Sequence, residues 1–171
     1  NGISLTLNRG DRIALVGRNG CGKSSLLKLL VGQPIAHTGT LEIGSRLTVS
    51  YVPQDMSFLS GSADDFAAES EIDLTLFKTI LRKLDFKRTQ FTKDMSEFSM
   101  GQKKKVLLAR SLCQRANLYI WDEPLNYIDV ISRLQIETLI LEYKPTMLFV
   151  EHDEAFVNDI ATKVCRISLN Q

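Results

Sequence analysis

Residues 13–32 read IALVGRNGCGKSSLLKLLVG. The first five are a short apolar run, the pattern of a strand buried on both faces. The last nine carry leucines at 26, 27, 29 and 30, one face of a helix, and Gly32 stands just past its end. Between strand and helix, Gly17-Arg18-Asn19-Gly20-Cys21-Gly22-Lys23-Ser24 fits G-x-x-x-x-G-K-[ST]. Glycines let such a loop turn so that successive backbone N–H groups point at phosphate oxygens. A helix starting near Gly22 adds its positive end. Lys23 can then reach the β- and γ-phosphates, the Ser24 hydroxyl can ligate Mg²⁺, and Ser25 continues the binding stretch. A plain glycine turn is the competing reading, and the strand-before, helix-after context weighs against it.

Working outward, the chain alternates. Ile3, Leu5 and Leu7 alternate with polar residues ahead of an Asn8-Arg9-Gly10-Asp11 turn, and 40–44 and 47–52 also have strand character. From 99 onward the pattern predicts helix (100–114), strand (117–122), helix (130–142), strand (146–151), helix (153–160) and strand (163–168). Such alternation predicts a parallel sheet covered on both faces. Residues 62–93 break it with a helical insert. Ser62 and Asp65 have capping-box spacing there, and Leu74, Phe77, Ile80, Leu81 and Leu84 mark a second helix. The insert is acidic first (Asp64, Asp65, Glu69, Glu71, Asp73) and then basic (Lys78, Arg82, Lys83, Lys87, Arg88, Lys93). Pairing between its two halves is favoured over RNA binding.

The 171 residues suit one domain, and a net charge of +1 excludes a global pull toward nucleic acid or membrane. Three widely spaced cysteines, Cys21, Cys113 and Cys165, make neither a disulfide framework nor a metal pair, and a reduced, cytoplasmic setting follows. Cys21 could be reactive at a helix start, but reads better as a tolerated small residue. The chain lacks an initiator Met, as expected of a piece of a longer protein.

The apolar run LYIWDE, 118–123, ends in Asp122-Glu123. Active sites of parallel sheets lie at the carboxyl ends of strands. Asp122 is placed to hold Mg²⁺ directly or through water, and Glu123 to accept a proton from an attacking water. A charged pair opening the turn at Pro124 is the alternative, weakened by the phosphate loop upstream. Trp121 is read as packed. In FSMGQKKKVLLAR, 98–110, Ser99 and Gln102 have capping-box spacing, so a helix should start there. The three lysines behind it, Lys103, Lys104 and Lys105, are read as a solvated helix face, with contact to RNA phosphates as the competing reading.

With these motifs in this order, the chain resembles the ATP-binding cassette (ABC) ATPases over nearly its whole length. Gly17–Ser24 resembles the Walker A loop, and Asp122 and Glu123 resemble the Walker B aspartate and the catalytic glutamate. The resemblance implies further roles. Gln54 in YVPQ is the Q-loop glutamine near Mg²⁺ and the attacking water. Ser99-Met100-Gly101-Gln102 is the signature motif, which faces the γ-phosphate held by another cassette. Asn126-Tyr127-Ile128-Asp129 is the D-loop, and His152 is the switch histidine. The implied fold is an α/β P-loop NTPase domain over 1–171. It has a parallel-sheet core, a small antiparallel β part and a short helical subdomain at 55–98. ATP and Mg²⁺ are the implied cofactors. The implied partner is a second cassette, on the same chain or as a homodimer of the fragment, and a lone cassette should hydrolyse ATP weakly. Met100 departs from the family's usual Gly, where an unusual φ and close approach would be at stake. The short insert, EPLNYID and GQKKKVLLA resemble the ABC-F subfamily, and within it the C-terminal cassette of the antibiotic-resistance, ribosome-protection branch. That implies a ribosomal partner (rRNA and tRNA). The alternative is the ATPase subunit of a membrane transporter, partnered by its membrane domain. No adenine-stacking aromatic stands at the family's expected distance before Gly17.

Overall fold

The computed structural model describes residues 3–167. Five strands form one sheet: β1 (Arg12–Val16), β2 (Val49–Val52), β3 (Leu118–Asp122), β4 (Met147–Val150) and β5 (Lys163–Arg166). Their order is β2-β3-β4-β1-β5, and every neighbouring pair is parallel. Parallel neighbours need crossovers, and the helices supply them. These are α1 (Lys23–Leu30), α2 (Ala63–Glu69), α3 (Leu74–Lys83), α4 (Met100–Cys113), α5 (Val130–Tyr143) and α6 (Glu154–Ile160).

The strand period of two sorts side chains onto two cores. Ala14, Val52, Trp121, Met147 and Phe149 face the side covered by α3, α4, α5 and α6, where Phe77, Leu81, Val106, Ile136, Ile140 and Phe156 are buried. Ile13, Leu15, Leu118, Ile120, Leu148 and Val150 face the other side, covered by Leu27 of α1. Trp121 is packed, as expected, and its indole N–H donates to Ser111 Oγ at 2.8 Å.

Local chemistry sets the helix ends. Gly22 caps α1 at φ +93°, a left-handed conformation that an L side chain rarely takes. Oxygen side chains of Ser62, Asp73, Ser99, Asp129 and Asp153 each accept a backbone N–H at the start of α2, α3, α4, α5 and α6. At α4 the box is complete: Gln102 N donates to Ser99 Oγ at 3.3 Å, and Ser99 N donates to Gln102 Oε1 at 2.9 Å.

Two expectations are corrected here. Residues 3–7 and 40–44 are not strands, and among the described residues no antiparallel pair forms. No neighbouring strand offers these segments a ladder. Leu5 and Leu7 pack instead against the α1-side core. Within the helical insert, Lys78 pairs with Asp64 at 2.8 Å, but Arg82, Lys83, Lys87, Arg88 and Lys93 are exposed and make no ion pair among the described residues. The acidic half lies on α2 and at the α3 start, and only the first basic residue falls within its reach.

Candidate functional site

The loop between β1 and α1 is shaped by close approach. A Cβ on Gly17 would stand 2.4 Å from the Ile167 carbonyl oxygen and 2.8 Å from Cys21 Sγ, so no side chain fits. Gly20 turns at φ +77°. Arg18, Asn19, Gly20 and Ser25 are exposed, whereas Cys21 is buried and packs with the α1-side core. Lys23 is also buried, and its Nζ donates to Gly17 O at 2.8 Å and Arg18 O at 3.0 Å. The ammonium is thus folded over the loop that would hold phosphates, with no carboxylate paired to it among the described residues.

Register brings the acidic pair to this loop. β3 ends beside β4, with Asp122 paired to Val150. Ser24 Oγ donates to Asp122 Oδ1 at 3.2 Å. Asp122 is 1% exposed, and its Oδ2 has no hydrogen-bond partner. Burial pushes its carboxyl pKa up, against the lowering effect of the Ser24 hydrogen bond. An orphaned buried carboxylate oxygen beside a hydroxyl is a hard-oxygen donor set, and it fits Mg²⁺, which takes one or two protein oxygens and keeps waters and phosphates for the rest.

Glu123 takes φ +50°, a left-handed conformation uncommon outside glycine. Its Oε2 accepts from Gln54 Nε2 at 2.9 Å and from Asn126 Nδ2, and its Oε1 lies 3.5 Å from His152 Nε2. Gln54, Glu123 and His152, distant in sequence, are therefore gathered at the carboxyl ends of β2, β3 and β4. Asn126 as a direct partner of Glu123 was not anticipated, although the three-residue spacing across a turn could have suggested it. Glu151, next to His152, is buried and structural: it accepts from Leu125 N at 3.1 Å and His152 N at 2.8 Å.

Among the described residues no hydrogen bond or ion pair joins residues 99–102 to the phosphate loop, and Gly101 packs closely on Tyr127. A Cβ on Gly101 would stand 2.5 Å from Tyr127 O. Lys105 Nζ pairs with Asp129 Oδ2 at 2.6 Å. Desolvation alone would raise the Asp129 pKa, but hydrogen bonds from Lys105 and Ser132 overcome it and hold the carboxyl at about 2. Met100 is the first residue of α4, is not among the residues with positive φ, and is 45% exposed. The expected backbone conflict at this departure is absent.

The lysine triplet is also corrected. Lys104 and Lys105 are buried, 1% and 8% exposed, so they present neither a solvated face nor an RNA contact. Lys104 Nζ lies 3.3 Å from Pro53 O and 3.5 Å from Asp122 O. Burial pushes its pKa down, and the nearby charges of Asp122, Glu123 and Glu151 oppose that shift.

The profile of the family described as "ABC transporter" matches residues 1–126. The chain is similar to the putative ATP-binding protein YdiF of Bacillus subtilis, 36% identical over 97% of this chain and 26% of the relative. It is also similar to ABC transporter F family member 2 of Arabidopsis thaliana, 30% identical over 98% of this chain and 26% of that protein. It thus spans about a quarter of the length of these relatives. Among solved structures, the archaeal ribosome recycling factor aABCE1, in complex with the ribosomal stalk protein aP1, superposes with a TM-score of 0.78 at 27% identity, over 94% of this chain and 32% of that one. Among the described residues no helix is long and apolar enough to cross a membrane. The phosphate loop, the acidic strand end and the matched profile together make this chain a member of the ABC family, an ATP-binding cassette.

Proposed function

We infer that this chain is the ATP-hydrolysing cassette of a cytoplasmic ABC-F protein that acts on the ribosome. The observation that carries the hydrolytic part is the convergence of Gln54, Glu123 and His152 beside the Ser24–Asp122 pair. In this reading residues 1–171 are one cassette and 55–98 its helical insert. Gly17–Ser25 cradle the phosphates, and Lys23 leaves the carbonyls of Gly17 and Arg18 for the β- and γ-phosphates. Ser24 and Asp122, with Gln54 nearby, would hold Mg²⁺, which supplies charge neutralisation on the phosphate oxygens. Glu123, steadied by Gln54 and Asn126, accepts the proton of the attacking water, and His152 stands at the γ-phosphate side. Phosphoryl transfer needs positioning and charge stabilisation more than covalent chemistry from the protein. Ser99, Met100, Gly101 and Gln102, with no hydrogen bond to this loop among the described residues, serve the nucleotide of a second cassette, and Asp129 holds the segment between the two sites. The ribosomal part is supported by the F family relative and by the likeness to aABCE1, a ribosome recycling factor. Protection against antibiotics is the narrower form of the same reading.

The test uses the full-length protein with Glu123→Gln. A glutamine cannot take the proton from water, so ATP stays bound, turnover falls about 10²-fold or more, and the variant co-sediments with ribosomes in the presence of ATP. Parent-like turnover sinks the role of Glu123. Sedimentation with membranes through an integral partner selects the transporter alternative over ABC-F.

A further inference from the structure

Lys104 is a charged side chain that the fold hides completely and the reaction scheme does not use. It sits on the first turns of α4, and its ammonium reaches the ends of two neighbouring strands. β2 and β3 are paired with Val52 opposite Trp121, so Pro53 and Asp122 follow at the same level. Their carbonyls are the two acceptors of Lys104, at 3.3 and 3.5 Å. Each carbonyl belongs to the peptide group that leads directly into a hydrolytic residue, Gln54 after Pro53 and Glu123 after Asp122. The two side chains then meet at 2.9 Å. Among the described residues no carboxylate lies within ion-pair distance of Lys104 Nζ.

Burying an ammonium without a paired carboxylate costs several kcal/mol, and an apolar side chain of similar length would serve the fold at least as well. The charges of Asp122, Glu123 and Glu151 offset part of that cost, but they do not account for the aim of the ammonium at these two carbonyls, whereas the geometry does. A residue one turn away on the same helix, Gly101, fixes the start of α4 against Tyr127, so the helix is a firm base from which the ammonium can act. We propose that Lys104 is a positioning residue for hydrolysis: its buried ammonium fastens the Pro53 and Asp122 carbonyls and so fixes the peptide planes from which Gln54 and Glu123 depart. This rests on the ATPase reading above. Lys104 touches neither nucleotide nor water itself, and its effect passes through the Gln54–Glu123 pair.

The experiment compares Lys104→Met and Lys104→Gln with the parent in the full-length protein. Four quantities are read: Mg²⁺-ATP affinity, kcat and KM for hydrolysis, melting temperature, and the crystallographic Gln54–Glu123 distance. Lys104→Met is expected to melt close to the parent temperature, since the desolvation cost it removes and the attraction to Asp122, Glu123 and Glu151 that it loses oppose each other. ATP affinity and KM should stay within about threefold, while kcat falls by about tenfold or more. The Gln54–Glu123 hydrogen bond should break with the β2–β3 ladder intact. Lys104→Gln, whose amide can still donate to a carbonyl, should recover part of the kcat and carries the same comparison if the Met variant does not fold. The proposal is overturned if the Met variant keeps parent kcat, if kcat and melting temperature fall together, if Gln is no better than Met, or if the Gln54–Glu123 bond survives in the Met crystal. A parent that turns over no ATP would remove the ATPase reading, and the crystallographic arm would still decide whether Lys104 sets this pair.

Discussion

Replacing Asp122 by Asn should make the nucleotide-free cassette more stable and at the same time blind to Mg²⁺. Asp122 is 1% exposed, one oxygen accepts from Ser24 at 3.2 Å, and the other has no partner. Burial pushes its folded pKa above the ordinary value. A group raised in this way contributes stability below its unfolded pKa, and that contribution is lost as pH rises through the folded value. At neutral pH the ionised form is therefore a cost to folding, which the amide removes. An unsatisfied buried polar group costs about 1–3 kcal/mol. The Asn amide inherits part of that deficit, so a net gain of about 1–2 kcal/mol is expected. For a chain of this size that is a rise of about 2–8 °C in Tm. Mg²⁺-ATP at a hundredfold over its Kd stabilises by about 2.7 kcal/mol, or about 5–11 °C for the parent. In the Asn variant the increment should be the same with Mg²⁺ as with EDTA. Calorimetric melts of both proteins, with and without ATP and Mg²⁺, read both effects. As pH falls toward the acid range, the parent's deficit should shrink, because Asp122 takes up its proton. A variant that melts below the parent at neutral pH, or that keeps a Mg²⁺-dependent increment, refutes the argument that this carboxylate is held in a costly state for a metal.

Gly101→Ala should destabilise the cassette by about 1–3 kcal/mol in urea unfolding, because its Cβ would meet backbone, the Tyr127 carbonyl, at 2.5 Å. Met100→Ala, at an exposed helical position one residue away, should stay within about 0.5 kcal/mol, and equal effects at the two positions would remove the close approach at Tyr127 from consideration. Reversing Arg82, Lys83, Lys87 and Arg88 to Glu in the full-length protein should weaken ATP-dependent co-sedimentation with ribosomes and flatten its salt dependence. Each phosphate that is no longer neutralised takes about 0.7–0.9 from the logarithmic salt slope. An unchanged slope between low and moderate salt would place these cations away from RNA.

Much of this architecture is legible in the sequence because it is written locally. Strand, glycine loop and helix adjoin one another between 13 and 32, and the caps at Ser62 and Ser99 are short-range patterns. Asp122 and Glu123 are recognisable because a strand ends on them. What escapes local reading is set by partners far along the chain. The run 40–44 has strand composition but no ladder to join. Lys103, Lys104 and Lys105 look alike in sequence, yet two of them are buried. The strand ends near Lys104 and the Asp129 turn near Lys105 arrive only through the parallel topology. The basic tail of the insert reads as the mate of its acidic head until α3 carries most of it out of reach. At Met100 the family's usual glycine suggests a strained backbone, but the helix start supplies an ordinary one.

The helix α4 joins these separate observations into one mechanical unit. Its start bears Ser99 and Gln102, locked in a reciprocal cap, and no hydrogen bond among the described residues joins them to the chain's own phosphate loop. Gly101, Lys104 and Lys105 fall at i, i+3 and i+4, so they share one face of the same turns. That face is fastened at Tyr127, at the Pro53 and Asp122 carbonyls and at Asp129. The attachments lie within about 6 Å along the helix axis, at 1.5 Å per residue. Close-packed interiors do not absorb such displacements locally. Under the proposed composite site, a phosphate drawn to the start of α4 from a second cassette therefore pulls on the segment 127–129 and on the strand ends that carry Gln54 and Glu123. On that proposal and the one for Lys104, occupancy of the distant nucleotide and the aim of Glu123 become one structural event, with α4 as the lever and the buried lysines as its fulcrum.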